Sequence, residues 1–175
     1  MRTMKSIKKE EIRDLLGKGW LTHDGMWFYQ TAKEFGIDKA NELNRAAIKS
    51  MAVFEVERLV RILGVEQPVE SLDAVKKLML NGMEMTLPVS VFSRFCLTAP
   101  SRNVLQWEWQ NEECFAYKGM KRMELLDGYE CGVIYRIECW FEHLGIKFNS
   151  YPTICKCMMH EKGYCRGAFE FLFSD

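Results

Sequence analysis

Six of the seven cysteines fall between Cys114 and Cys165, and two of the three histidines, His143 and His160, lie in the same stretch. Thiols and imidazoles are the side chains most suited to nucleophilic catalysis and metal binding near neutral pH, so chemistry is expected in this region. Cys155, Cys157, His160 and Cys165 are the densest group and the candidate ligands of a metal, either zinc or haem iron. Their spacing matches no established zinc signature. Cys139 and His143 stand four residues apart, which makes them neighbours on a helix. That spacing suits an imidazole that lowers a thiol pKa, or two ligands of one metal.

On a helical wheel through residues 131–144, stepping about 100° per residue, Ile134, Ile137, Trp140, Phe141 and Leu144 gather on one side. Tyr135, Glu138, Cys139, Glu142 and His143 gather on the other. A surface helix usually fills its outer face with Lys and Glu. Here a thiol, an imidazole, a phenol and two carboxylates stand there instead. In a catalytic reading Cys139 is the nucleophile, His143 or His160 the base, and Glu138 or Glu142 the group that orients it. In the simpler reading the face is wet, and His143 complements the dipole at the helix C-terminus.

Further candidates to line a ligand pocket are Tyr135, His23, Trp27, Trp107 and Trp109. His23 sits in an aromatic-rich stretch from Trp20 to Tyr29, at an expected helix start where the positive dipole end favours a neutral imidazole. Trp107 and Trp109 share one face of a strand, because strand side chains alternate.

The elements that must position these groups follow from periodicity. Residues 6–20 form a charged amphipathic segment. Thr22 is the expected N-cap, with Asp24 in the first turn, of a helix that runs to Phe35 and closes at Gly36 in a left-handed conformation. Asp38 is expected to cap a helix carrying Ala40, Leu43, Ala47, Met51, Phe54 and Leu59 inward and ending near Gly64. Ser71 starts a third. Past Pro88 the β-branched and aromatic residues of 89–95 and 104–109 read as strands. A long helix follows Gly128 and stops at Gly145. The fold class is α+β: a helical N-terminal half, residues 1–85, packed on an antiparallel sheet in residues 86–175, with one long helix before a C-terminal β-hairpin.

That hairpin, expected over 147–159 and 164–173, has a register. Phe169, Phe171 and Phe173 must face inward together with Cys165, while Lys156 turns Cys155 and Cys157 inward on the other strand. The two inward faces coincide only for a loop of three or five residues. Cys155, Cys157 and Cys165 are therefore expected to form one interior layer, either a thiol-lined site or a cysteine-rich core.

A chain of 175 residues, 48% hydrophobic and 13% aromatic, is expected to fold as a single domain with a buried core. Its 24 basic and 24 acidic residues cancel, which disfavours nucleic acid as a partner. Residues 1–11 lack the apolar stretch of a signal peptide. No apolar run approaches the roughly 20 residues of a membrane helix. A cytoplasmic location with reduced thiols and no membrane partner is the expectation.

The run Trp20-Leu-Thr-His23-Asp24-Gly-Met-Trp27-Phe28, followed by Asn41, Asn44 and Arg45, resembles a prokaryotic family of uncharacterised cytosolic proteins over most of the chain. The last 50 residues are similar, more distantly, to the L-2-amino-thiazoline-4-carboxylate hydrolase-like proteins. They are similar also to the 4-vinyl-reductase-like small-molecule-binding domains, through Cys157, Gly163, Cys165, Gly167 and Phe169. The acidic residue usual before the first cysteine of that pattern is not at its place, and no hydrolase nucleophile carries over. The resemblance implies a ligand-holding α+β fold. The expected function is binding of a small molecule, with cysteine-dependent hydrolysis of a small acid as its enzymatic form. The alternatives are a metal or haem protein built on the C-terminal Cys/His group, and a non-catalytic protein that forms a homodimer.

Overall fold

The computed structural model describes residues 3–173. Two long helices open the chain, α1 (Lys9–Phe35) and α2 (Ile37–Leu63), followed by α3 (Leu72–Thr86) and a single turn, α4 (Val89–Phe92). Strands β1 (Phe95–Thr98) and β2 (Val104–Trp109) come next, then α5 (Phe115–Arg122) and α6 (Gly132–His143). The chain ends with β3 (Phe148–Tyr151), the short α7 (Met158–Lys162) and β4 (Cys165–Phe171). This is the expected α+β class. Among the described residues no helix is long and apolar enough to cross a membrane.

The sheet is fully antiparallel in the order β1-β2-β4-β3. Only one of its faces is packed. Leu105, Trp107 and Trp109 alternate inward along β2, and Cys165, Phe169 and Phe171 do so along β4. The long helix α6 lies on that face: the Phe141 ring meets Phe148, Phe169 and Phe171 at 5.1–5.3 Å, each edge to face. Its apolar stripe of Ile134, Ile137, Trp140 and Phe141 is buried as expected. Helix α2 runs along α6, and α1 and α3 pack on α2.

Local sequence explains most boundaries. Ser71 caps α3, its hydroxyl accepting from the Ala74 N–H at 3.2 Å. Gly64 ends α2 in the left-handed conformation. Gly36 separates α1 from α2 with φ +86° but an extended ψ, so the expected left-handed cap is instead a sharp corner that only glycine takes easily.

Four expectations are corrected. The chain does not break at Thr22, which lies inside a continuous α1; one capping side chain does not interrupt a helix whose neighbours all favour helix. Residues 89–92 are a helical turn and not strand, because Pro88 precedes them and the Asp14 carboxylate accepts from the Val89 N–H at 2.7 Å. The inward stripe of α2 is Ala40, Asn41, Ala52, Val56 and Leu59, while Leu43 and Phe54 are exposed. Finally, β3 stops at Tyr151, since Pro152 has no N–H to donate to a ladder. Phe148 pairs with Phe171 and Ser150 with Phe169, so Tyr151 points outward, 54% exposed, and the loop to β4 is long and contains α7. Cys157 and Cys165 are both buried, whereas Cys155 is exposed. The expected layer of three inward cysteines therefore does not form through strand register.

Candidate functional site

The feature best shaped to take up an apolar ligand is a cavity of about 240 Å³ between α1, α2, α3, α5 and α6. Trp20, Asp24 and Phe28, one helical turn apart on α1, form one wall. Met51 of α2, Met79 and Met83 of α3 and Met120 of α5 add an adaptable thioether lining, and Ile48 of α2 a branched aliphatic one. Ile137 and Trp140 of α6 close the far side. A surface groove shares Trp20, Met51, Thr86 and Arg136 with the cavity, which places Trp20 and Arg136 at its mouth.

Two charged groups reach this apolar space. Arg136 is committed: its guanidinium pairs in a fork with the Glu55 carboxylate, one arm at 2.7 Å and the other through Nη2 to Oε1. The Trp140 indole N–H also donates to Glu55, at 2.8 Å. Asp24 is the opposite case. Among the described residues it has no hydrogen bond or ion pair. It lines the cavity but is exposed to solvent, and burial of part of its surroundings raises its pKa above the ordinary 3.8, against the weaker pull of the Arg136 and His23 charges. The mostly apolar cavity thus has at its solvent-exposed edge one acid without a hydrogen-bonding partner among the described residues.

The polar face of α6 does not line this cavity; α2 covers it. Arg45 stacks on the Tyr135 ring, 3.8 Å from its centroid. His143 Nε2 hydrogen-bonds Glu57 at 3.2 Å. Glu138 is half-buried, and burial raises its pKa against the Ser150 hydroxyl. The Cys139 thiol is likewise pushed up, first by burial and then by the Glu142 and Glu138 carboxylates, with the Tyr135 hydroxyl opposing. Cys139 and His143 therefore share a helix face, but the imidazole is held by Glu57 and the thiol stays protonated at neutral pH. The close approach of α2 and α6 rests on Gly132, where a Cβ would meet the Ile48 Cδ1 at 2.7 Å. It rests also on Asn41, whose buried amide donates to the Gly128 carbonyl at 2.7 Å and accepts from the Glu130 N–H at 3.1 Å.

The remaining candidates are dispersed. His23 and Trp27 lie on the exposed side of α1, ring centroids 6.5 Å apart. Trp107 and Trp109 do share a face, but it is the core face of the sheet. Trp109 stacks behind two cavity residues, Phe95 at 5.1 Å and Phe115 at 5.9 Å. His160 Nε2 hydrogen-bonds Asp127 at 2.9 Å on the surface, and Cys155 is exposed. Among the described residues no three His, Cys, Asp or Glu side chains stand ready around one point to hold a metal ion. The cavity residues that sequence reasoning missed, Trp20, Asp24 and Phe28, carry a legible signal: they recur every fourth position once α1 is taken as unbroken.

A one-faced antiparallel sheet under a helical layer that forms a mostly apolar, ligand-sized cavity open at Trp20 and Asp24 defines this chain as an α+β protein with a cavity in its helical layer. The chain belongs to a family of unknown function (DUF6125), whose pattern matches residues 5–165. No curated protein and no solved structure matches it. The family match brings no similarity to the hydrolase-like or vinyl-reductase-like proteins.

Proposed function

We propose that this protein binds a compact, mostly apolar molecule carrying one hydroxyl or amino donor, in the cavity beside Asp24. The observation that carries the reading is the acid itself. Asp24 stands exposed on α1 beside the mouth of the apolar cavity with no hydrogen-bond partner among the described residues, so its carboxylate is free to accept from a donor on a molecule bound there. The volume fits: an engineered apolar cavity of about 150 Å³ takes up benzene, so about 240 Å³ has room for a bicyclic ring or a short branched chain. Arg136 does not call for an anionic ligand, since Glu55 already neutralises it. Cysteine-dependent hydrolysis has less support, because Cys139 is a protonated thiol covered by α2. Homodimer formation draws on the exposed Leu15, Leu16 and Trp27 of α1.

The test uses tryptophan fluorescence, which Trp20 and Trp140 at the cavity should report, with 2-naphthol and naphthalene as matched probes. Saturable quenching is expected for both, tighter for 2-naphthol, with that preference lost in Asp24→Ala. Gly119→Leu, placed on the cavity wall where a Cβ meets only the tip of Met123 at 3.9 Å, should abolish both. Quenching by neither probe, or quenching indifferent to Gly119→Leu, overturns the reading.

A further inference from the structure

Two exposed stripes with the same spacing border the cavity. One, on α1, is Leu16, Trp20, His23 and Trp27; the other, on α2, is Leu43, Ala47, Ser50 and Phe54. Each advances by four, three and four residues, the repeat of a seam between packed helices. Every one of these residues is exposed, Trp27 at 66% and Phe54 at 61%, so neither stripe is covered by its own chain. Trp20 and Ala47 also line the cavity, which places both stripes at its edge.

The apolar area suits an interface. An aromatic side chain carries about 150–250 Å², so the exposed parts of Trp20, Trp27 and Phe54, with Leu16 and Leu43, come to roughly 500 Å² per chain. A contiguous patch of that size marks an interaction surface. It supplies more than half of the about 800 Å² that a stable interface takes from each partner. The charges beyond the α1 stripe select the partner. Lys9 stands one heptad before Leu16 and Glu34 one heptad after Trp27, both exposed, at opposite ends of one seam. A parallel copy would set Lys9 against Lys9 and Glu34 against Glu34. An antiparallel copy sets Lys9 against Glu34 at both ends, and the same register brings Leu16 to Trp27 and Trp20 to His23.

We propose that this protein forms a two-fold homodimer in which the α1–α2 face of one copy stacks on that of the other, α1 running antiparallel to the partner's α1. The axis passes between Trp20 and His23. Leu16 packs on the partner's Trp27, Trp20 on the partner's His23, and Lys9 pairs with the partner's Glu34. Each contact occurs twice, as a two-fold axis requires. The α2 stripe is centred between Ala47 and Ser50, beside the same cavity, so one axis serves both helices and brings Leu43 to the partner's Phe54. The partner's α1 then lies over the open side of the cavity at Trp20. A ligand in the cavity would be enclosed between the two copies; that consequence rests on the binding proposed for the cavity, whereas the dimer does not.

The test is the mass of the full-length chain by light scattering and its self-association by analytical ultracentrifugation, with no ligand added. Twice the chain mass is expected at micromolar concentration. Trp27→Glu and Phe54→Glu, neither at a residue that lines the cavity, should give monomers with the circular dichroism of the wild type, because both sites are exposed. Lys9→Glu should weaken the dimer about tenfold at low salt, since two pairs turn repulsive at once, and Lys9→Glu/Glu34→Lys should restore it. In a Cys96→Ser/Cys155→Ser background, a short bismaleimide should join a Leu16→Cys chain to a Trp27→Cys chain and should not join two Leu16→Cys chains. A monomeric wild type overturns the dimer. So do dimers undiminished by Trp27→Glu and Phe54→Glu, a charge swap no tighter than Lys9→Glu alone, or Leu16→Cys chains joined to one another. Failure of the naphthalene probes to bind a chain that dimerises in this way would count against the cavity reading alone.

Discussion

Gly167 of β4 lies directly across the ladder from Trp107 of β2, and a Cβ at Gly167 would stand 2.6 Å from Trp107 Cζ2. The same Cβ would stand 2.6 Å from the Tyr151 carbonyl oxygen on the other neighbouring strand. Trp107 is 1% exposed and rests against Phe169 at 6.4 Å, so it has nowhere to retreat. Gly167→Ala should therefore destabilise the protein by about 1–3 kcal/mol through overpacking, read as a lower urea midpoint. Gly19→Ala is the contrasting case. It lies within α1 with nothing inside 4 Å of the new Cβ, and it should stabilise by about 0.5–1 kcal/mol. Equal effects from the two substitutions would contradict the packing described for the β2–β4 pair.

The acid at the edge of the cavity has a pH signature. Asp24 has a folded-state pKa raised above the ordinary 3.8, chiefly by burial. For a carboxyl shifted in that direction the folded state holds its proton more tightly than the unfolded state. The stability it contributes is present below pH 3.8 and is lost as pH rises through the folded pKa. Asp24→Asn removes this component, so the gap in stability between variant and wild type should widen in the variant's favour as pH rises from about 3.8. Subtracting the two profiles cancels the other shifted carboxyls, Glu138, which acts in the same sense, and Asp14 and Glu113, whose pKa values are lowered and act in the opposite sense. Paired denaturation curves from acid to neutral pH measure it. A difference that stays flat, or grows in favour of the wild type, would show that the carboxyl is solvated.

How much of this was legible in the sequence depends on the range of the interaction. The stripe of α6 was legible, because Ile134, Ile137, Trp140 and Phe141 repeat at helical spacing whatever packs on them. So was the shared face of Trp107 and Trp109, fixed by strand alternation. What covers the polar face of α6 was not. Arg45, Glu55 and Glu57 lie some eighty to ninety positions from Tyr135, Arg136 and His143, and no local pattern ties them together. The cavity was lost for a local reason. With Thr22 and Asp24 assigned to a cap, Asp24 had an explanation that needed no cavity, and the fourfold spacing of Trp20, Asp24 and Phe28 was cut in two. The cysteines divide in the same way. Adjacency in sequence groups Cys155 with Cys157, whereas the fold sets Cys155 outside and Cys157 inside, through contacts such as Glu112 to Met159 that span 47 residues.

The thiols offer a direct measurement of that division. A thiol reacts through its thiolate, so both exposure and pKa set the rate. Cys96 and Cys155 are exposed. The other five are buried, and in each burial raises the pKa, to about 12 at Cys114 and about 11 at Cys131. Native protein at neutral pH should therefore show two fast thiols with a disulfide reagent and five slow ones, with all seven reacting at once in denaturant. Cys139 is the informative member of the slow group. The residues around it include two carboxylates that hold the thiol protonated, so Cys139→Ser should leave the count of fast thiols at two. Removing Cys96 and Cys155 together should leave none. A third fast thiol that disappears in Cys139→Ser would instead mean that α2 opens away from α6 and that Cys139 has the reactivity of a nucleophile. Mass spectrometry after a brief iodoacetamide pulse decides between these outcomes residue by residue.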